Sequence, residues 1–348
     1  MANSNYANSV LPNAVIRLED IFTGQNGRYV QYNNLKSEAI KMVNDSQTAR
    51  MTEVFAGGRC IGIQMNWLKN CTALGGFATQ TLPTACAIPT GIVSTSDVQT
   101  INPLDYFEEL AELDDNLCSN EYVAEELLAE RLADAISRLD IRMNRYTYAQ
   151  LLARTYANQD PNTIGTVVSN RTTIPASSWT SDILVQLELE AMYNGLGNYM
   201  ILDSRNLLAQ KNLSQYRSLN DNERNQAATF NAWDSRLIFD SPRDIAAVTG
   251  RASTFFVDMD MVALVNRTSY TSLTPELLDS ADNFYTFQVT SPRTGVRYDV
   301  EYQKSCTARD EVTNRYYKHK FRVKFLGGIV FAPAQCDSVT GVMEYVKV

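Results

Sequence analysis

The sequence predicts a mixed α+β fold. Three observations predict it: a strand pattern bracketing a glycine- and proline-bearing excursion, one very long helical stripe, and alternating segments through the C-terminal part. Helices gathered in the middle with strands at the end are segregated elements, the α+β arrangement rather than a βαβ succession.

Taken in order, residues 1–35 are rich in Asn, Tyr and Gly without a sustained period, so an extended N-terminal arm is expected there. Over 36–51, "KSEAIKMVNDSQTARM" spaces Ala39, Ile40, Met42 and Val43 as a short helix. "RCIGIQMNWLKNC" then alternates, with Ile61, Ile63, Met65 and Trp67 on one side and Cys60, Gly62, Gln64 and Asn66 on the other. That period of two is a strand. "TALGGFATQTLPTACAIPTG" reads as a long loop and 92–101 as the return strand of a projecting β-hairpin.

"SNEYVAEELLAERLADAISRLDIRMNRYTYAQLLART" carries the strongest helix signal. Leu128, Leu132, Ala135, Ile136, Leu139, Met143 and Tyr146 form one stripe. Glu121, Glu125, Glu126 and Glu130 crowd the first turns and Arg131, Arg138, Arg142 and Arg145 the later ones, the polarity a helix dipole favours. Ser119 is the expected N-cap. Running to about Tyr156, the helix would be roughly 50 Å long at ~1.5 Å per residue. It is either a core helix or a spine linking two parts of a subunit.

After a break at 158–178, "SWTSDILVQLELEAMYNGLGNYMILDSRNLLAQ" reads as a helix, a stop at Gly195 and Gly197, a short strand and a further helix. Residues 209–235 are polar and Asn-rich, the composition of a surface loop. "SRLIFDSP" and "STFFVDMDMVALVNR" read as buried strands. Tyr285, Phe287 and Val289 alternate with polar neighbours, as do Val296, Tyr298, Val300 and Tyr302, and again Phe321, Val323 and Phe325.

Composition excludes several classes. Hydrophobic residues make up 45% and charged residues 20%, the balance of an ordered globular chain. A net charge of −8 is the wrong sign for a dedicated duplex-DNA binder, whose affinity comes from neutralising phosphates. No apolar run approaches the ~20 residues of a membrane helix, and the N-terminus lacks a secretory pattern. A soluble protein made in a cytoplasm, with no membrane partner, is expected. The cysteines, at 60, 71, 86, 118, 306 and 336, contain no C-x-x-C pair and accompany one histidine, so zinc spacing is absent and buried free thiols are expected.

Candidate chemistry is sparse. His319, the single histidine, sits in K-H-K with no acid beside it in sequence. It is expected on a strand face at a surface or interface, where alanine would be tolerated. G-x-S-x-G, Walker A and G-x-G-x-x-G are all missing. "FFVDMDM" places Asp258 and Asp260 on one face of a strand. The alternative it allows is a carboxylate-dependent hydrolase; the plainer reading is a solvated or interface face. Asp114 and Asp115 read as capping and solvation before the long helix. Lys318, Lys320, Arg322 and Lys324 form a basic strand face without interleaved aromatics, which suits an acidic surface of another subunit, or the wet face of an edge strand, better than stacked bases. No catalytic residue, metal ligand or cofactor is assigned.

The element order resembles the major capsid protein family of tailed bacteriophages, with the Hong Kong 97-like shell fold shared by encapsulins. "WDSRLIFDSPRDIAAVTGRASTFFVDMDMVALVNR" is similar to the family's central pattern of strand, loop, "F-F-x-D" strand and apolar run. "YYKHKFRVKFLGGIVFAPAQCDSVTGVMEYV" is similar to its C-terminal strands, a charged strand followed by G-G-apolar and a proline turn. The resemblance implies an N-terminal arm (1–35), a short helix and extended β-hairpin loop (36–105), and a peripheral domain with the spine helix (106–165). It further implies an axial α/β domain (166–280) and C-terminal strands shared between the two (281–348). It implies pentamers and hexamers closing an icosahedral shell around double-stranded DNA, in a virion assembled in a host cytoplasm. Scaffolding, portal and decoration proteins would be further partners. Interaction residues would be Trp67 and Lys69 in the hairpin, Leu132, Ile136 and Leu139 in the spine, and the basic strand face. An encapsulin-like shell or a phage tail protein is the structural alternative. About 35 unpatterned residues stand where some members carry a helical scaffolding segment, so scaffolding is either separate or already removed. No crosslinking through Lys69 is predicted.

Overall fold

A computed structural model describes residues 10–23, 36–46, 50–56, 59–69, 95–101, 104–114, 121–180, 182–207, 236–279, 284–307, 316–332 and 339–348. The helices are α1 (Leu11–Thr23), α2 (Glu38–Asp45), α3 (Glu121–Arg154), α4 (Ile183–Tyr193) and α5 (Pro242–Thr249). The strands are β1 (Arg50–Ala56), β2 (Arg59–Lys69), β3 (Thr95–Ile101), β4 (Asp105–Asp114), β5 (Thr166–Val168), β6 (Arg171–Ile174), β7 (Tyr199–Asp203), β8 (Leu237–Phe239), β9 (Ser253–Asp258), β10 (Val262–Asn266), β11 (Glu276–Asp279), β12 (Phe284–Thr290), β13 (Arg297–Thr307), β14 (Tyr316–Phe331) and β15 (Val342–Lys347).

The expected α+β content is observed, in three sheets. β1, β2 and β3 form an antiparallel ribbon, with Ile63 opposite Ile101 and Lys69 opposite Thr95. The hairpin strands thus pair as expected, and β1 adds a third where the sequence reading ended a helix. Sheet I runs β10-β14-β13-β12-β11, with β4 also paired to β14. Sheet II runs β5-β6-β15-β9-β7-β8.

The sixteen-residue β14 organises sheet I. One edge carries β13. The other is shared end to end by β4, opposite 318–327, and β10, opposite 327–331. Gly327 stands at the changeover, where a Cβ would overlap the Val265 carbonyl oxygen. Only glycine lets two backbones approach this closely. The outer edge of β4 would leave carbonyls open to another strand. Two arginines of α3 occupy two of them: Arg138 Nη2 donates to Leu110 O at 2.8 Å and Arg142 Nη1 to Glu108 O at 2.9 Å.

α3 is the axis of the main core. At about 1.5 Å per residue its 34 residues reach roughly 50 Å. Leu128, Leu132, Ala135, Ile136, Leu139 and Met143 are all fully buried. They pack with α1, α2 and the inner face of sheet I, where Tyr298, Val300, Phe321, Val323 and Phe325 point inward. Burying each such side chain contributes about 1.5–3 kcal/mol. Ser119, the expected cap, lies outside the described residues.

β9 divides this core from a second one. All six of its residues are buried. Phe255 and Val257 face the α3 side, and Phe256 faces α4 together with Tyr345, Met343 and Tyr199. The ring centres of Tyr148 and Phe255 are 5.7 Å apart on one side, and those of Tyr199 and Phe256 are 5.3 Å apart on the other.

Two helices depart from the sequence reading. Within the expected arm, Leu11, Ala14, Leu18, Ile21 and Phe22 line a buried face of α1 against α3. Asn13 donates to Glu125 at 2.9 Å beside them. The spacing is helical, but it is short and lies among Asn-rich flanks that mask it. α5 occupies what was read as a loop. Ser241 Oγ accepts from Asp244 N at 3.3 Å, Pro242 opens the first turn, and Gly250, with φ +71°, closes the last. α4, the stop at Gly195 (φ +77°) and β7 fall where expected. The helix expected after β7 and the loop at 209–235 lie outside the described residues, as do the cysteine side chains.

Candidate functional site

The four basic residues of β14 project from the outer face of sheet I, each beside an acid of the same sheet. Register sets the pairs: Lys320 is opposite Glu112, Lys324 opposite Glu108 and Arg322 opposite Glu301. Lys318 Nζ lies 2.6 Å and Lys320 Nζ 3.9 Å from Glu112. Arg322 Nε donates to Glu301 at 2.6 Å, and Lys324 donates to its other oxygen, which also accepts from Tyr270 OH at 2.8 Å. Burial alone would raise the Glu301 pKa; hydrogen bonds from Lys324, Arg322 and Tyr270 outweigh it and hold the carboxyl below its ordinary value. The bond from Lys318 holds Glu112 low as well. The face is therefore a cross-strand charge ladder, with opposite charges paired directly (Lys320 with Glu112, Arg322 with Glu301) and diagonally (Lys318 with Glu112, Lys324 with Glu301).

His319 is not on that face. Strand alternation puts it inward with Phe321 and Val323, at 1% exposure, and this corrects the surface placement. Its Nδ1 is 2.7 Å from Tyr302 OH, and the two rings stack 21° from parallel. Spacing alone carried the signal: position 319 shares the parity of 321, 323 and 325.

Asp258 and Asp260 do not share a strand face either. β9 ends at Asp258, and Met259–Met261 form a 3₁₀ turn. Asp258 Oδ1 accepts from Asp260 N at 3.0 Å and caps that turn. Asp260 accepts from Asn198 at 3.2 Å. Burial raises the Asp258 pKa, against the bonds from Asp260 N and Gly197 N. Among the described residues no group of three or more His, Cys, Asp and Glu side chains is placed to hold a metal. No described helix is long and apolar enough to cross a membrane.

Leu132, Ile136 and Leu139 are fully buried in the main core. Trp67 and Lys69 lie in β2, opposite Asp97 and Thr95; their side chains lie outside the described residues. Asp114 ends β4 opposite Lys318 rather than preceding α3 directly, and Asp115 lies outside the described residues.

The chain is similar to several bacteriophage structures. Against the capsid of Ralstonia phage GP4 it is 10% identical, with 82% of each chain covered and a TM-score of 0.43. Against a structure from Mycobacterium phage Cain the identity is 10%, the coverage 90% of each chain and the TM-score 0.42. Against the capsid structure of Cyanophage P-SCSP1u the values are 10%, 85% of each chain and 0.41. The sequence matches no protein-family model and no curated protein.

Sequence reasoning missed the buried acids that tie these elements together. Asp140 of α3 accepts from Ser291 Oγ at 2.7 Å, Thr294 Oγ1 at 3.0 Å and Tyr298 OH at 2.7 Å, fixing the helix to the β12–β13 turn. Burial pushes its pKa up despite these donors. Asp240 accepts from Ala39 N at 3.1 Å, Asn144 Nδ2 at 2.9 Å and Tyr148 OH at 2.9 Å, joining α2, α3 and the start of α5. A buried carboxylate with three donors is positioned structure, and only its three-dimensional setting distinguishes it from a surface acid.

Proposed function

We propose that this chain is a structural shell subunit of the Hong Kong 97-like kind, assembling with copies of itself rather than catalysing a reaction. The ribbon carries this reading. It pairs with neither of the other sheets, and its principal contact with the rest of the molecule, among the described residues, is β3 against β14. A sheet has two faces to cover, and a three-stranded ribbon needs an apolar face covered to be stable. Lying over a neighbouring copy supplies the cover, with Trp67 and Lys69 in the contact. The spine helix and sheet I would then form the peripheral domain, and sheet II with α4 the axial one.

Pentamers and hexamers of the chain would close an icosahedral container for double-stranded DNA, in a virion assembled in a host cytoplasm with scaffolding, portal and decoration partners. A net charge of −8 suits a wall that must not bind the DNA it encloses. Lys320 and Arg322, each nearly half exposed, can extend the charge ladder to a neighbour's acid. The hydrolase alternative has little to work with, since Asp258 is occupied in capping a turn.

Negative-stain microscopy and sedimentation of the purified chain test the reading. Rings or closed particles are expected. A monomer at high concentration, with the ribbon protected from hydrogen exchange, would overturn it.

A further inference from the structure

β11 is the outermost strand at one end of sheet I, and all four of its residues are exposed. Leu277 and Leu278 are 52% and 66% exposed, and Leu273 just before them 63%. Glu276 and Asp279 flank the leucine pair, and 271–279 contains no Lys, Arg or His. Proteins ordinarily blunt a sheet edge with lysine, proline or a cover, because an apolar edge invites pairing. Leucines held in water there, between acids, mark a surface of contact.

The outer face of the same sheet carries a cleft of about 270 Å³ over the charge ladder. One water needs roughly 10–15 Å³ of such space, so whole side chains fit. Register sets its lining in two rows: Glu112, Lys320, Gln303 and Phe284 form one, and Leu110, Arg322 and Glu301 the other. Leu110 and Phe284 supply apolar surface at its two sides. Between them each acid serves two cations. Glu112 has Lys318 at 2.6 Å and Lys320 only at 3.9 Å, and Glu301 holds both Arg322 and Lys324. Arg322 gives Nε and Nη2 to Glu301, part of the five N–H donors of a guanidinium. A further carboxylate entering the cleft therefore meets donors on Lys320 and Arg322.

We propose that the β11 edge of one copy seats in this cleft on the next, its leucines against Leu110 and Phe284 and its acids beside Lys320 and Arg322. The contact deepens the shell reading and rests on it. The occupant is a second copy because the chain carries both halves of the match and cannot join them itself. β11 is hydrogen-bonded to β12 as part of sheet I, so it cannot lie across the face of the sheet it edges. Three strand spacings separate it from β14, roughly 14 Å at ~4.8 Å each. Charge selects the pairing. Two β11 edges laid antiparallel would set Glu276 against Asp279, and like charges directly opposite repel. Brought to Lys320 and Arg322, the same acids are attracted, on a chain whose net charge of −8 otherwise keeps copies apart. Edge and cleft are different surfaces, so the contact is head-to-tail and repeats from copy to copy until a ring closes. Four edge residues are a fraction of the ~20–30 a side of a stable interface, so the contact acts alongside others rather than as a lone dimer.

Carbodiimide, which links a carboxylate to an amine in direct contact, reads the pairing in full-length chain assembled from equal parts isotope-labelled and unlabelled copies. A mixed-isotope amide from Glu276 or Asp279 to Lys318 or Lys320 is expected in the mass spectrum. The same amide within one copy, or assembled particles in which these acids join other lysines or none, overturns the proposal. Glu276→Lys and Lys320→Glu each set like charges together across the contact. Each should keep the wild-type circular dichroism while the concentration needed for assembly, read by sedimentation velocity, rises at least about tenfold. The double variant Glu276→Lys/Lys320→Glu restores opposite charges and should assemble better than either single one. Wild-type assembly by Glu276→Lys, or a double variant no better than the singles, sinks this contact alone; a wild-type chain that never assembles sinks the shell reading itself.

Discussion

Gly327 lies so close to Val265 that a methyl group on its Cα would overlap the Val265 carbonyl oxygen. The contact sits where β14 leaves β4 and takes up β10, so relief would require moving one of three strands. Gly327→Ala should cost about 2–4 kcal/mol by urea unfolding. Gly197→Ala, where a methyl would have nothing within 4 Å, serves as control and should cost less than about 1 kcal/mol. Equal effects at the two positions would refute the close approach.

Leu132→Asp puts a carboxylate into the fully buried stripe of α3. The charge has no partner there, and the cost should exceed about 4 kcal/mol. Insoluble or aggregated protein is expected on expression, read by fractionation. Soluble variant protein that still forms particles would contradict the role given to α3.

The sequence alone suggested that His319 could become alanine without effect. Its burial beneath sheet I reverses that expectation. His319→Ala should lose about 2–3 kcal/mol, mostly through the cavity left behind. Tyr302→Phe, which deletes only the hydroxyl facing Nδ1, should lose about 1 kcal/mol. A thermal-melt series on the two variants checks the order.

Glu301 makes stability depend on acid. Its folded pKa is lowered, so its contribution is fully present above the ordinary glutamate value of about 4.3 and disappears as pH falls through the folded value. Glu301→Gln should lower stability at neutral pH and flatten the loss below about pH 5 in a denaturation series. An unchanged acid limb would show that Arg322 and Lys324 are not held by this carboxyl.

What could be read early was what repeats locally. α3 announces itself through apolar residues at helical spacing, and β2 with β3 through a period of two on either side of a glycine-rich loop. β4 was not legible, because "DYFEELAELD" alternates on neither face: Phe107, Glu109, Ala111 and Leu113 share one side, and Tyr106, Glu108, Leu110 and Glu112 the other. Its identity as a strand comes from lysines more than 200 residues away in β14. The same non-locality hid the charge ladder, since Lys320 looks like an open basic residue until β4 and β13 are laid beside it. α5 is the instructive miss, for Ser241, Pro242 and Gly250 spelled out both of its ends.

Consecutive phenylalanines of β9, 255 and 256, serve different interiors. Neither lobe can therefore loosen while the other stays intact, because the wall between them is one strand thick and its side chains alternate. Heat should melt both in a single transition, and a load on one lobe is carried by the other through a solid partition rather than across a hinge.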